Sequence, residues 1–357
     1  MKTTEDRVQG ALLGALIGEA LGVGPHWYYD IDELRREHGE WIRDYTRPKA
    51  GRYHEGLRPG EPSQAGIILR MLMESLAEKG TYDEADFCRR LEEDLFPRLD
   101  GKPFSGPGGY TSQSIREVWR NRVLHNLPWT NAGGPADTTE AIERTLALAA
   151  RYWKHPALLA RTTNDNAALT QTDGTVLSMT VAFSAVLGLL IEGHPFNPEI
   201  SDTLMRRVKT GELPFHAATT GNLQPPKPGD PDPPRAGRFA SPDALLTPSY
   251  MAEAAGDPGI RIEPAWKVSI VYGMPCAVYH QLPAAYYLAA RFPDDFESAV
   301  LHAINGGGQN MARAMLVGAL TGAQTGLSGI PARFIEGLMD SGALVQLAGK
   351  IATDSMR

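Results

Sequence analysis

Apolar residues recur at intervals of three and four positions along most of the chain, which is the pattern of buried and amphipathic helices. Ile67, Leu69, Leu72 and Leu76 show it within one segment. No run that alternates apolar and polar residues beside an Asn-Gly or Asp-Gly turn stands out, and only 28–31 and 260–262 are candidates for extended segments. The pattern therefore predicts an all-α protein, with helices over 5–21, 62–79, 83–90 with an extension toward 96, 112–122, 137–152, 156–168, 175–192, 198–210, 265–272, 282–291, 295–305, 311–326 and 331–341.

Two of these helices carry a small residue at every fourth position: Gly10, Gly14, Gly18 and Gly22 in the first, and Ala314, Gly318, Gly322 and Gly326 in the second. An interior glycine costs a helix about 1 kcal/mol relative to alanine, so the stripes need a compensating contact. We expect the two helices to cross in contact, which would join both ends of the chain in one domain. Two separately buried helices are the alternative.

Composition and charge narrow the class of protein. A chain of 357 residues gives a soft prior of about two domains, and 42% hydrophobic with 22% charged residues is ordinary for a soluble globular protein. The formal charge of -7 and the lack of basic runs longer than 206–209 argue against nucleic-acid binding. Cys88 and Cys276 form no disulfide framework, so a reducing cytoplasm is expected. The apolar stretch 8–25 contains Glu19 and five glycines, which favours a buried helix over a membrane span.

Glycine and proline are both frequent. The 37 Gly and 27 Pro make 64 of 357 residues, about 18%, against roughly 12% in average proteins. The segment at about 222–237 is rich in proline and cannot be helical, so it is predicted to be a surface excursion or a lid. We interpret it as an insertion and not as a domain boundary.

Polar residues collect at four junctions between loops and helices. At the first, Glu19 precedes His26 and Trp27, which could form the wall of a site or a core cluster that closes the helix end. At the second, Glu61 and Ser63 start a helix, where an anion site and a simple helix cap are both possible.

The other two junctions are also ambiguous. Gly133 and Gly134 precede Asp137, and Gln171 precedes Asp173, so each segment presents an acid near a helix start, where capping is again the alternative. At the fourth, a triple-glycine loop leads into the second glycine helix and would let backbone amides approach a phosphate or a sugar. Its residues are Gly306, Gly307, Gly308, Gln309 and Asn310.

The order of these segments resembles that of the ADP-ribosylglycohydrolase family over about residues 7–338. Residues 10–22 are similar to the family's G-x-x-x-G-x-x-x-G-D-A-L-G, and 299–331 to its A-x-x-x-N-x-G-G-D-T-D-T segment. The family includes the glycohydrolase that reactivates dinitrogenase reductase, ADP-ribosyl-acceptor hydrolases and lens crystallin relatives. The resemblance implies one compact all-α domain of orthogonal helices over 1–357, which replaces the prior of two domains.

The residues that hold metal in the family are mostly different here. Family members use Asp-Asp-Thr and Asp-Thr-Asp-Thr to bind two magnesium ions, where this chain has Glu61-Pro62-Ser63 and Gln309-Asn310-Met311-Ala312. Two such ions bring a charge of about +4 and require oxygen ligands, which a neutral amide and a thioether do not offset. A family glutamate aligns with His26, and a family histidine with Gln171. We therefore predict no paired metal centre and no cofactor.

Three functions are consistent with the resemblance. The first is hydrolysis of an ADP-ribosyl, ribosyl or related glycosidic bond without metal, with Glu61, Asp137 or Asp173 activating water and Glu19 or His26 assisting. The second is a non-catalytic protein that binds a nucleotide or sugar, and the third is a structural protein like the crystallin relatives. The predicted ligand contacts are Trp27, Ser63, Gly133, Gly134, Gln171, Gly306, Gly307, Gly308, Gln309 and Asn310.

The expected partner is a small sugar or nucleotide-sugar molecule. A surface rich in methionine and aromatic residues at 266–279 could cover the site or form a homodimer face, with core packing as the alternative. No partner membrane or nucleic acid is expected.

Overall fold

The computed structural model describes residues 2–215, 228–229 and 243–357. Within these residues the secondary structure is helical, without a β-strand, which confirms the predicted all-α class. The predicted excursion at about 222–237 lies outside the described residues except for 228–229. The α-helices are α1 (Thr4–Val23), α2 (Ile31–His38), α3 (Gln64–Lys79), α4 (Glu84–Arg90), α5 (Gln113–Trp119), α6 (Glu140–Tyr152), α7 (Pro156–Ala168), α8 (Gly174–Glu192), α9 (Ile200–Lys209), α10 (Asp243–Gly256), α11 (Val268–Tyr272), α12 (Val278–Arg291), α13 (Phe296–Ile304), α14 (Asn310–Thr325), α15 (Ala332–Glu336) and α16 (Ser341–Ser355).

Helices α1 and α14 pack against each other backbone to backbone at the centre of the molecule. A Cβ atom built on Gly14 would lie 2.2 Å from the carbonyl oxygen of Gly318, and one on Gly18 would lie 1.9 Å from that of Ala314. No side chain fits in such a gap, so the glycines are required by the close approach of the two helices. The predicted contact between the two small-residue stripes is confirmed.

The remaining long helices surround this pair. Helices α6, α8, α13 and α16 contact α1, and α8, α12 and α13 contact α14. Helix α8 is long and apolar enough to cross a membrane by composition, but 78% of that stretch is buried within the protein. The two chain ends therefore share one core, in agreement with the predicted single helical domain.

Several helix ends differ from the prediction for local reasons. Helix α3 starts at Gln64 and not at 62, because the Ser63 hydroxyl caps it by accepting a 3.2 Å hydrogen bond from the Ala65 N–H. Helix α6 starts at Glu140 and not at 137. Helix α4 continues as a π-helical turn over 91–95, in the place of the predicted extension toward 96, and α5 continues as a π-helical turn over 120–124.

Three helices were not predicted, and two predicted extended segments are wrong. Helix α2 is missing from the prediction because it buries only Leu34 and so has no apolar periodicity, although Asp30 caps it through the N–H groups of Asp32 and Glu33. Helices α10 and α16 were also missed. The segments 28–31 and 260–262 are not strands: 28–30 is irregular, Ile31 begins α2, and 260–262 is a turn followed by irregular chain.

Candidate functional site

A cavity lies where the N-terminal ends of α3, α5, α6 and α14 meet the loop that follows α1. It encloses about 500 Å³ of open space, part of which is continuous with solvent. Helix N-termini expose N–H groups and carry partial positive charge, so their convergence favours polar and anionic groups at this place. The cavity is lined by His26, Ser63, Gln64, Ala65, Ile68, Tyr110, Ser112, Ile115, Glu140, Glu143, Arg144, Gln309 and Met311.

Two glutamates from the first turn of α6 supply the carboxyl groups of the cavity. Glu140 and Glu143 are three residues apart and therefore project from the same face of the helix. The hydroxyl of Thr138 donates a hydrogen bond to Glu140, and the hydroxyl of Thr139 donates one of 2.6 Å to Glu143 Oε1. The turn before α6 thus fixes both carboxyl groups.

Burial makes both carboxyl groups harder to ionise. Burial first, and then the nearby charge of Glu140, raise the pKa of Glu143 to about 8. Burial also raises the pKa of Glu140, but the hydrogen bond from Thr138 and the charges of Arg144 and Arg116 oppose that rise. Glu143 therefore keeps its proton at neutral pH.

Arg144 is a buried cation beside the two glutamates. Its Nε donates 2.8 Å to Asn166 Oδ1, and its Nη2 donates 2.9 Å to both the Asn166 carbonyl and the Thr170 hydroxyl. Burial lowers its pKa to about 10, so it remains charged at neutral pH. Helix α7 and the residues after it therefore hold a fixed positive charge next to the carboxyl pair.

Gln171 supports the start of α6. Its side-chain oxygen accepts a 2.8 Å hydrogen bond from the Ala141 N–H, and its amide nitrogen donates 2.8 Å to the carbonyls of Ala136 and Thr138. Gln171 was predicted to contact a ligand. Its side chain is fully engaged with the backbone and instead positions the segment that carries Glu140.

Glu19 lies behind the cavity wall. Its Oε1 accepts a 2.8 Å hydrogen bond from the Ser63 N–H, and its Oε2 has no hydrogen-bond partner among the described residues. Burial raises the pKa of Glu19 to about 7, and its charge contributes to the raised pKa of Glu143. Glu19 thus influences the carboxyl pair without lining the cavity itself.

His26 and Gln309 line another part of the cavity, and Trp27, a predicted ligand contact, lies beside them outside the lining. His26 Nε2 lies 2.9 Å from Gln309 Oε1, and the Trp27 indole N–H donates to the same oxygen. The second ring nitrogen of His26 lies 2.7 Å from Nε2 of His54, a residue that the sequence pattern did not single out.

Three predicted catalytic acids lie outside the cavity lining. Glu61 accepts hydrogen bonds of 2.6 and 2.9 Å from the backbone N–H and Nε of Arg58. Asp173 caps α8 through 2.9 Å bonds from the N–H groups of Thr175 and Val176. Asp137 is exposed on the surface. The structure therefore assigns these acids local or solvent-facing positions, and Glu140 and Glu143 occupy the cavity instead.

Gly133 and Gly134 pack against neighbouring parts of the protein and do not form a ligand site. Gly134 exchanges backbone hydrogen bonds of 3.1 and 2.9 Å with Thr170 and Thr172, and Gly133 lies beside the same strand-like bridge. A Cβ on Gly134 would lie 2.0 Å from Glu117 Oε2, so a side chain there would displace the Glu117 carboxylate. Neither glycine lines the cavity.

The triple-glycine loop is likewise tied to its neighbours. The N–H of Gly308 donates 2.7 Å to the Tyr28 carbonyl, and Arg313 Nη2 donates 2.6 Å to the Gly307 carbonyl. Asn310 donates 3.0 Å to the Pro25 carbonyl. Gly306 packs against Ser269. Of this loop and the two residues after it, Gln309 alone lines the cavity, so the predicted phosphate or sugar cradle is not formed by the glycines.

The sequence contained a signal for the missed glutamates. Glu140, Glu143 and Arg144 interrupt a helix that is otherwise rich in Ala, Ile and Leu, and the three charges fall at i, i+3 and i+4. Three charges on one face of an otherwise buried helix indicate a functional or ion-paired cluster, because burying them is costly.

The residues do not fit a paired magnesium centre. At the positions that match the family's metal ligands, Glu61 is bound by Arg58, Gln309 Oε1 accepts from Trp27, and Met311 offers only a thioether. The described part of the chain contains no group of three or more His, Cys, Asp or Glu residues placed to hold a metal ion. Magnesium prefers octahedral oxygen ligation. The lack of a paired metal centre stays a prediction, and no step below uses a metal.

Known proteins with similar sequence or structure place the fold in a family. A solved structure described as an ADP-ribosylglycohydrolase-related protein complex matches with a TM-score of 0.62 and 21% identity over 100% of both chains, which supports the fold alone. An uncharacterized protein of Archaeoglobus fulgidus is 26% identical over 353 residues, 99% of this chain and 98% of that protein. The family model named ADP-ribosylglycohydrolase matches residues 1–357, so the chain belongs to the ADP-ribosylglycohydrolase family.

Proposed function

We propose that the protein hydrolyses the glycosidic bond of a ribosyl or ADP-ribosyl compound in this cavity, without a paired magnesium centre. Membership of the family supports a glycohydrolase-like function. The observation that carries the proposal is the pair Glu140 and Glu143, two carboxyl groups in one cavity, of which Glu143 keeps its proton at neutral pH. Such a pair is what acid-assisted glycoside hydrolysis requires.

The two glutamates take different roles. Glu143 holds its proton at neutral pH and donates it to the leaving group as the bond to the anomeric carbon breaks. The carboxylate form of Glu140 stabilises the positive charge that develops on the ribosyl carbon, and it accepts a proton from the water that attacks there. Solvent then returns the proton to Glu143 and removes the one on Glu140.

Polar groups elsewhere in the wall suit a hydroxylated ligand. The side-chain oxygen of Gln64 is buried and has no hydrogen-bond partner among the described residues, although its nitrogen donates 3.3 Å to Thr111. Ser63 and Ser112 also line the cavity. An unpaired buried acceptor is costly, and a sugar hydroxyl that donates to it would relieve that cost.

Hydrolysis of synthetic ribofuranosides in the presence of a metal chelator tests the proposal. We expect turnover of both nitrophenyl and phenyl ribosides, in whichever anomeric form the cavity accepts. Glu143→Gln should lower the rate with the phenyl riboside by about 10²–10⁴-fold, and with the nitrophenyl riboside much less, because nitrophenolate leaves without a proton. Glu61→Gln is the matched control, since that carboxylate lies outside the cavity, and its rate should stay unchanged.

Three results would contradict the proposal. If Glu143→Gln lowered the rate equally with both leaving groups, Glu143 would not be the general acid. Turnover that requires added magnesium would refute metal-free chemistry. Thermal stabilisation by ADP-ribose or ribosides without any turnover, including of ADP-ribosylated peptides, would favour the alternative of a non-catalytic binding protein.

A further inference from the structure

A continuous chain of hydrogen-bond contacts runs through two buried histidines in the cavity wall. It starts at the carbonyl of Gly108, 2.5 Å from His54 Nδ1, and passes from His54 Nε2 to His26 Nδ1 over 2.7 Å. It ends with His26 Nε2, 2.9 Å from Gln309 Oε1. Both histidines are 1% exposed, so water does not substitute for a missing partner.

In the structure, both ends of this series of hydrogen bonds present an acceptor. The Gly108 carbonyl has no proton to give. At the other end, the Trp27 indole nitrogen is a donor without acceptor capacity, so its contact identifies the atom of Gln309 that it meets as the amide oxygen. Exchanging the oxygen and nitrogen of Gln309 would set an N–H of the amide against the N–H of Trp27. His26 Nε2 therefore also faces an acceptor.

The series contains three contacts between hydrogen-bonding atoms, and each contact needs one proton to be a hydrogen bond. Two neutral imidazole rings carry only two protons between them. With two protons, one pair of acceptor atoms would face each other without a hydrogen at 2.9 Å or less. We propose that His26 and His54 form a binding site for one extra proton, and that this proton decides which end of the Gln309 amide faces the cavity.

Gln309 is the residue in this series of hydrogen bonds whose side-chain amide can turn over. With the extra proton, His26 and Trp27 both donate to its oxygen, and its amide nitrogen, which has no hydrogen-bond partner among the described residues, is left for the cavity that Gln309 lines. Without the proton, His26 Nε2 is an acceptor, and a half-turn of the amide lets Gln309 donate to it, while the Trp27 indole N–H loses its acceptor. The oxygen of Gln309 then takes the position of the nitrogen. The wall therefore changes from donor to acceptor.

Burial disfavours binding of the extra proton, so the pair can change between two and three protons as the pH changes. Removal from water lowers the pKa of His54 to about 4 and that of His26 well below its ordinary value, while the bonds to Gly108 and Gln309 raise them. This inference goes beyond the proposed function and requires no reaction. The other ionisable groups that face the pair across the cavity or from adjacent rings are Tyr53, Tyr110, Glu140, Glu143 and Arg144.

Nitrogen-15 NMR of the whole protein tests the inference, without any ligand. Ring-nitrogen shifts report which of the four histidine nitrogens of the pair carry protons, and the Trp27 indole N–H, assigned with Trp27→Phe, reports the state of Gln309. We expect two protons on the pair at the basic end of a titration from pH 9 to 3, and binding of the third proton as the pH approaches the acid end. The Trp27 signal should move with the same midpoint.

His54→Asn should abolish the movement of the Trp27 signal, because a lone neutral His26 can donate to Gln309 and accept from an asparagine amide. Asparagine also tolerates the positive φ of 67° at this position, so the fold should be kept. The matched control is His302→Asn, which changes a histidine that bonds only within α13 and should leave the titration intact. A pair that holds either two or three protons over the whole range overturns the inference, as does a Trp27 signal that does not follow the histidines.

Discussion

Glu143 is a buried acid whose ionisation opposes folding. Its ordinary pKa of 4.5 is raised to about 8 in the folded protein, so between these values the folded state holds a proton that the unfolded state has released. Stability therefore falls as the pH rises from about 4.5 to about 8. Glu143→Gln should be more stable than the wild type by at least about 1 kcal/mol at pH 8.5 and nearly equal at pH 4.5, measured by urea unfolding.

The Glu61→Gln substitution should change the stability at high pH in the opposite direction to Glu143→Gln. Hydrogen bonds and the charge of Arg58 lower the pKa of Glu61, so its carboxylate stabilises the fold above the unfolded pKa, and that stability is lost as the pH falls through the folded pKa. The Glu61→Gln variant should therefore be slightly less stable than the wild type at pH 8.5. If Glu143→Gln behaved in the same way, Glu143 would not be a protonated group.

These two glutamates also show what the sequence could indicate about the site. His26, Ser63 and Gln309 were predicted from motif positions, and all three line the cavity. Glu61 was singled out because it stands at a motif position, and Glu143 was not, because an acid in the first turn of a helix is ordinary. Burial is the largest cause of the raised pKa of Glu143, and the charges of Glu140 and Glu19 add to it. Burial of a polar helix end depends on the tertiary structure.

At the scale of elements, the crossing of α1 and α14 sets the distance between the two motif segments. A Cβ on Gly318 would lie 2.0 Å from the Gly14 carbonyl oxygen, and neither backbone can yield without moving a whole helix. Gly318→Ala should therefore destabilise the protein by about 1–3 kcal/mol in denaturant unfolding, despite the better helix propensity of alanine. Gly342→Ala in α16 is the matched control, because nothing lies within 4 Å of its added Cβ, and it should cause no loss. Equal effects of both variants would refute the close contact.

The same contrast explains which elements were predictable. The small-residue stripes of α1 and α14 predicted their contact, because a glycine repeat lowers the stability of a helix and only close packing offsets that loss. Helix α2 has no apolar periodicity from which to predict it, since Leu34 is its one buried residue. The π-helical turn after α4 lies within the extension predicted toward 96, and the turn after α5 overlaps the helix predicted over 112–122, but the sequence pattern does not distinguish a π-helical turn from an α-helix.

At the scale of the whole molecule, the central pair is built from opposite ends of the chain. Residues 4–23 and 310–325 form it, and α16 packs on α1, α3 and α6, so neither half of the chain keeps a complete core without the other. We therefore expect one unfolding transition, with equal midpoints by calorimetry and by far- and near-UV circular dichroism. Gly318→Ala should move that whole transition to lower temperature. Two transitions, of which the variant shifts only one, would show that the chain contains two independently folded units and would contradict the single domain over 1–357.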